Sequence, residues 1–75
     1  MKYYQRLRDL REDNEKNQKE IAAVIKTSQS YYAQYENGNR KMPLERIIEL
    51  AKYYDVSMDY IVGLTDKKHS FREWE

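Results

Sequence analysis

Apolar residues recur along this chain at spacings of three and four positions, which is the pattern of amphipathic helices. The strongest example has the apolar positions Leu44, Ile47, Ile48, Ala51 and Tyr54. A narrower stripe of Tyr3, Leu7 and Leu10 predicts an earlier helix over about Tyr3 to Asp13. With three shorter helical segments, the pattern predicts an all-α fold, a compact five-helix domain over residues 1–64. Residues 65–75 have no such pattern and form a C-terminal tail.

The ends of the predicted helices carry residues that favour helix termini. Asn17 followed by Glu20 has the form of a capping box, so the second helix should start at Gln18. Five further positions favour helix ends: the N-cap residues Ser28 and Ser57, the glycines Gly38 and Gly63, and Pro43 in the first turn of the fourth helix.

Residues 18–38 are organised as two short helices joined by a polar turn at Lys26, Thr27 and Ser28. The residues that would hold the two helices together are Ile21, Ala22, Ile25, Tyr32 and Tyr35. The simplest interpretation is a helix-turn-helix, a motif that places its second helix in the major groove of DNA.

The face of the third helix opposite Tyr32 is polar. Ser30, Ala33 and Gln34 should face outward, and Gln29 should lie towards one rim. A glutamine amide can pair bidentately with adenine, and an alanine methyl can contact the methyl group of thymine. Glutamines also form ordinary solvated helix faces, and these four residues alone support base reading and that alternative about equally.

Cations on either side of a reading helix would fix its register on the DNA backbone without reading sequence. The candidates for backbone contact are Lys19, Lys26, Tyr31, Asn37, Arg40 and Lys41. Each lysine could equally be a solvated charge. Tyr31 could donate its hydroxyl to a phosphate or pack its ring on the loop before the fourth helix.

Composition narrows the class of protein. A chain of 75 residues has room for one domain, and the absence of cysteine fits a reducing compartment, so we expect a cytoplasmic protein. No apolar run is long enough for a signal peptide or a membrane span. The net charge is only +1, but residues 16–46 carry six basic and three acidic groups, so positive charge is concentrated around the predicted helix-turn-helix.

Four aromatic residues are not needed for the predicted core, namely Tyr53, Tyr60, Phe71 and Trp74. Exposed aromatic residues often mark a protein interface. They could serve a homodimer or a protein partner, or the tail could fold back over its own domain. We favour the homodimer.

Catalysis has little support in the sequence. His69 is the single histidine, and without cysteine or a second histidine neither a metal site nor a nucleophilic pair can be assembled. No glycine-rich phosphate loop is present. We therefore expect no enzymatic activity, no metal and no cofactor.

Several short motifs, taken in order, resemble the phage repressor and Cro family of XRE-type helix-turn-helix regulators. They are Leu7, Leu10 and Arg11 in the first helix, QKEIA at residues 18–22, Ser28, YENG at residues 35–38, and LAKYYDVSMDYIVG at residues 50–63. The resemblance implies five helices, binding of double-stranded DNA as a homodimer, and control of transcription, usually repression. It also implies that Gln18 contacts a phosphate and braces the base-reading side chains, and that Arg11 and Glu36 form a largely buried ion pair.

Three residues depart from the family pattern around the turn. Lys26 stands where the family often has glycine, so it must adopt a left-handed conformation or the turn must differ. Lys16 and Thr27 replace usual apolar residues. A second hypothesis for function remains open, that of a protein-binding module such as an antitoxin or a transcription adaptor, which the aromatic tail favours.

Overall fold

A computed structural model describes residues 2–71 of the chain. It contains five α-helices: α1 (Tyr3–Asp13), α2 (Gln18–Val24), α3 (Gln29–Glu36), α4 (Leu44–Tyr54) and α5 (Met58–Val62). Within residues 2–71 there is no strand, so the predicted all-α fold is confirmed. No helix in this range combines the length and apolar character needed to cross a bilayer.

The helices enclose one apolar core. Helix α3 packs against α1 and α2, while α4 packs against α2 and α5, and α5 also contacts α1. The largest completely buried apolar side chains are Leu7, Leu10, Ile21, Tyr32, Leu50 and Ile61. The predicted inward position of Leu44 is wrong, because this first residue of α4 lies beyond the edge of the core and is 61% exposed.

The predicted helix starts are confirmed by side-chain caps. Asn17 accepts a hydrogen bond from the Glu20 amide at 2.8 Å, and Glu20 accepts one from the Asn17 amide at 3.1 Å, which completes the capping box. Ser28 and Ser57 cap α3 and α5 by accepting from the backbone three residues later, each at 3.1 Å. Pro43 directly precedes α4 instead of lying in its first turn.

The turn between α2 and α3 passes through a left-handed residue. Lys26 has φ of +56°, the conformation that glycine adopts most readily. The turn is closed by hydrogen bonds from the Thr27 amide to the Ala22 carbonyl at 2.9 Å and from the Lys26 amide to the Ala23 carbonyl at 3.2 Å. The expected helix-turn-helix geometry is therefore kept, and Lys26 carries the backbone strain.

Replacing Lys26 by glycine should stabilise the domain by about 0.5–1 kcal/mol, because relief of left-handed strain exceeds the greater entropy of glycine in the unfolded chain. Thermal unfolding followed by circular dichroism measures the change. The matched control is Lys26→Ala, which removes the same charge but keeps Cβ. If both variants shift the melting temperature equally, the strain at Lys26 is not the cause.

The described part of the C-terminal tail lies against its own domain. The Ser57 amide donates a hydrogen bond to the His69 carbonyl at 2.8 Å, and Asp66 forms an ion pair with Arg6 at 3.1 Å. Phe71 is partly buried against the core. Residues 66–71 therefore fold back over their own domain, which is one of the alternatives predicted for the tail.

Tyr60 is not an exposed aromatic residue. Its side chain is buried, and the Arg6 guanidinium lies 4.1 Å from the centre of its ring. The prediction that Tyr60 is available for a partner is therefore wrong, because α1 and the tail cover it. Tyr53 is 43% exposed, as that hypothesis requires, and Trp74 lies outside the described residues.

Candidate nucleic-acid interface

The exposed face of α3 carries the residues that the sequence marks for base reading. Gln29 and Ser30 are exposed, and Ala33 and Gln34 are half-buried on the same helix. The opposite side of α3 is anchored in the core by Tyr32 and Tyr35. Since the helix is held through its buried side, its polar face has a fixed orientation relative to the rest of the domain. Contact of these four residues with bases remains a prediction.

Arg11 and Glu36 form the ion pair that the family resemblance implied. Arg11 Nε lies 2.7 Å from Glu36 Oε2, and Arg11 Nη2 lies 3.1 Å from Glu36 Oε1, so the pair is bidentate. The side chains of Arg11 and Glu36 are 13% and 2% exposed, which places the carboxylate inside the protein. Arg11 also donates to the Lys16 carbonyl at 2.9 Å. This pair ties α1 to the end of α3.

The ionised form of Glu36 is favoured despite its burial. Burial alone would raise the pKa of this carboxyl group, but the hydrogen bond from Arg11, the neighbouring Tyr32 hydroxyl and the hydrogen bond from Gln18 together outweigh it. The pKa of Glu36 therefore lies below its usual range. Burial raises the pKa of the Tyr32 hydroxyl, so that group remains neutral.

Gln18 lies at the first position of α2 and is connected to the same ion pair. Its Nε2 donates to Glu36 Oε1 at 3.3 Å, and its side chain is half-buried. This contact braces Gln18 between α2 and α3. Its contact with a phosphate remains a prediction.

The candidate backbone contacts surround α3. Lys19 on α2, Lys26 in the turn, Asn37 at the end of α3, and Arg40 and Lys41 in the following loop are all exposed. That loop is held against α1, since the Met42 amide donates a hydrogen bond to the Tyr3 hydroxyl at 3.1 Å. Exposed cations therefore precede and follow α3 in the chain, and their contact with the DNA backbone remains a prediction.

Gly38 lets the chain leave α3 and enter this loop. It has φ of +78°, and a Cβ atom at this position would lie only 2.6 Å from the Tyr4 ring. The left-handed conformation favours glycine, and a larger residue would in addition have to displace the Tyr4 ring. Gly38 thereby sets the position of the basic loop relative to α1.

The Tyr31 ring packs against Arg40 of the loop that follows α3. The Arg40 guanidinium lies 4.6 Å from the centre of the Tyr31 ring, and the Tyr31 ring makes an edge contact with Tyr35 at 5.3 Å between centroids. The ring is 37% exposed. The structure thus places Tyr31 against the loop, as in the second interpretation of this residue, and a phosphate contact through its hydroxyl remains a prediction.

The sequence interpretation missed the structural role of Arg46. This residue of α4 donates from Nη1 to the Ile25 carbonyl at 2.9 Å, which satisfies a backbone acceptor at the end of α2. A signal was available, because a cation in the first turn of a helix is disfavoured by the helix dipole. Arg46 at the start of α4 therefore needed a partner elsewhere.

The described part of the chain was predicted to hold no metal, and its candidate ligands are dispersed. Between residues 2 and 71, no group of three potential metal ligands comes together. His69 lies in the tail, where its carbonyl accepts the hydrogen bond from Ser57. The clustered polar and basic side chains around α3 are the feature that most favours a macromolecular ligand.

A short helix, a tight turn and a second helix with a polar exposed face, flanked by cations, define a helix-turn-helix domain. The sequence profile of the helix-turn-helix family matches residues 7–61, and the chain belongs to this family of DNA-binding transcription regulators. The resemblance derived from its motifs is thereby confirmed.

Two relatives are named as regulators. An uncharacterised helix-turn-helix transcriptional regulator of Bacillus subtilis, YobD, is 45% identical over 64 residues, covering 85% of this chain and 57% of the relative. The transcriptional repressor RstR of the cryptic phage CTXphi in Vibrio cholerae is 36% identical over 58 residues, covering 77% and 52% of the two chains. The chain thus spans about half the length of these relatives. No solved structure matches it significantly.

Proposed function

We propose that this chain binds double-stranded DNA in a sequence-specific manner and represses transcription. The observation that carries the proposal is the polar face of α3, with Gln29 and Ser30 exposed and Gln34 half-buried, while the opposite side of the helix is anchored by the buried Tyr32 and Tyr35. The repressor named among its relatives supports the direction of regulation. No enzymatic step and no cofactor is needed for this activity.

The proposed docking places α3 in the major groove. Gln29, Ser30, Ala33 and Gln34 then face the base edges, while the flanking cations contact phosphates on either side. Gln18 at the start of α2 contacts a phosphate. The chain acts in the cytoplasm as a homodimer, whose two reading helices occupy half-sites roughly 34 Å apart. Tyr53 is the described exposed aromatic residue that the proposed dimer contact can use.

Selection of binding sites from random duplexes tests this function. We expect the chain to enrich a palindromic site whose half-sites are separated by about one helical turn. Affinity for the selected site should fall linearly with salt concentration on logarithmic axes, with a slope that counts the phosphate contacts. Enrichment of no sequence would contradict sequence-specific binding, and a single unrepeated site would contradict the proposed symmetry.

A further inference from the structure

Gln34 has a fixed amide orientation on the reading face. The atom of its side chain that faces Arg40 Nε lies 3.1 Å away. Arginine has only hydrogen-bond donors, so this atom must be the Gln34 oxygen, Oε1. Gln34 Oε1 consequently faces Arg40 in a hydrogen bond at the protein surface, and the amide also carries two Nε2 donors. The bidentate pairing with adenine predicted from the sequence would use the same oxygen, so Arg40 and adenine would have to share its two lone pairs.

Arg40 is held beside Gln34 from several directions. Its backbone amide donates to the Gln34 carbonyl at 3.3 Å, and its Nε donates to the Gln34 side chain. Its guanidinium carbon lies 4.6 Å from the centre of the Tyr31 ring, and Tyr31 in turn contacts the buried ring of Tyr35. A guanidinium held against an aromatic ring is more ordered than a free surface cation.

The two Nη groups of Arg40 take no part in these hydrogen bonds. Among residues 2–71, neither Nη nitrogen of Arg40 donates a hydrogen bond to protein. The planar pair of Nη groups is the part of arginine that binds two adjacent acceptors at once. With the Nε2 donors of Gln34 beside it, this corner of α3 is rich in donors, and one lone pair of its acceptor, Gln34 Oε1, is used by Arg40.

We propose that Arg40 is a base-reading residue that selects guanine in the operator half-site, with Gln34 as the side chain that positions its guanidinium. Guanine presents two adjacent acceptors, O6 and N7, in the major groove, whereas adenine presents one acceptor and one donor. The two Nη donors of Arg40 therefore match guanine better than adenine. This inference rests on the proposed function, and it changes Arg40 from a backbone contact into a determinant of specificity.

Lys41, the neighbouring cation, provides the comparison that isolates the role of Arg40. Both residues are exposed in the same loop, and each contributes one positive charge. No hydrogen bond or ring contact within the described residues orients Lys41, so we expect it to act through charge alone. A contact made through charge weakens binding to all sequences about equally and lowers the salt slope by about one.

The test combines protein variants with an altered base. Wild-type protein, Arg40→Ala and Lys41→Ala are each subjected to binding-site selection, and their affinities are then measured for the selected operator. A second operator carries 7-deazaguanine, which lacks the N7 acceptor, in place of the guanine. Circular dichroism establishes that each variant is folded, which we expect because both side chains are exposed.

The expected outcomes separate this inference from the proposed function. Wild type should select a guanine in each half-site, and 7-deazaguanine should weaken its binding about tenfold. Arg40→Ala should lose the guanine preference and show no further loss of affinity for the altered operator. Lys41→Ala should keep the guanine preference and should still bind the altered operator about tenfold more weakly. If Arg40→Ala retains the guanine preference, or still loses about tenfold on the altered operator, the inference fails. Failure of wild type to select any sequence would instead overturn the proposed function.

Discussion

Replacing Glu36 by alanine should destabilise the domain by about 3–5 kcal/mol, because it leaves the largely buried Arg11 guanidinium without its bidentate partner. Gln18 loses its acceptor in the same variant. A domain of this size has a total unfolding free energy of only about 4–11 kcal/mol. The variant should therefore be partly or wholly unfolded at 37 °C. Urea and thermal unfolding followed by circular dichroism measure the loss.

A surface ion pair on α1 supplies the control for this prediction. Arg8 and Glu12 lie 3.6 Å apart, and both side chains are more than half exposed. Glu12→Ala should cost less than about 0.5 kcal/mol, because solvent screens such pairs. Equal losses for Glu36→Ala and Glu12→Ala would show that the buried pair does not hold α1 to α3.

The dependence on pH gives an independent check on Glu36. Because the pKa of its carboxyl group is lowered in the folded state, its contribution to stability is present above the unfolded value of about 4.3. That contribution is lost as the pH falls through the folded pKa. The difference in unfolding free energy between wild type and Glu36→Ala should therefore narrow below about pH 4. A difference that stays constant down to pH 3 would mean that Glu36 is not ionised in the folded protein.

The parts of the fold that could be predicted are those with a local signature. The capping box of Asn17 and Glu20 and the N-cap Ser28 involve residues three positions apart, so the starts of α2 and α3 can be identified in the sequence. A left-handed conformation at Lys26 was one of the two alternatives predicted for the turn, because the family often has glycine at this position. These features depend on short-range geometry, which the residue types largely determine.

Contacts between distant residues had no such signature. The burial of Tyr60 depends on Arg6 and on Asp66, which lie 54 positions before and six positions after it in the chain. Arg46 reaches a carbonyl 21 positions earlier. Only the assembled structure brings these groups together, so the periodicity of each helix could not identify them. The ion pair of Arg11 and Glu36 is 25 positions apart and was expected only because the chain resembles a family in which it occurs.

The face predicted to read bases lies between these two cases. Helical periodicity predicted that Ser30, Ala33 and Gln34 face outward and that Gln29 lies towards one rim; in the structure Gln29 and Ser30 are exposed, whereas Ala33 and Gln34 are half-buried. Periodicity could not indicate which atoms of Gln34 are available, since its amide oxygen is engaged by a residue in the following loop. The chemistry that a reading face presents is therefore determined by contacts with the loop as well as by the helix.

The double substitution of Gln29 and Gln34 by alanine should abolish most sequence discrimination while leaving binding to random DNA nearly unchanged. Gln29 loses its own base contact, and removal of Gln34 also removes the acceptor that orients Arg40. With about 1–3 kcal/mol of discrimination for each specific contact, the affinity ratio between operator and random DNA should fall by roughly 10²- to 10³-fold. Competition binding of operator and random duplexes at one fixed salt concentration measures this ratio.

The variant Lys19→Ala distinguishes loss of base recognition from loss of electrostatic attraction to the DNA. Lys19 is an exposed cation on α2 and is not among the residues predicted to read bases. Its removal should weaken binding to both kinds of DNA by a similar factor and reduce the salt slope by about one. The glutamine variant carries the same charge as wild type, so its salt slope should not change. If the glutamine variant instead loses affinity for operator and random DNA equally, these glutamines contribute to affinity without reading bases. If it retains the full preference for operator, recognition depends on a different surface of the domain.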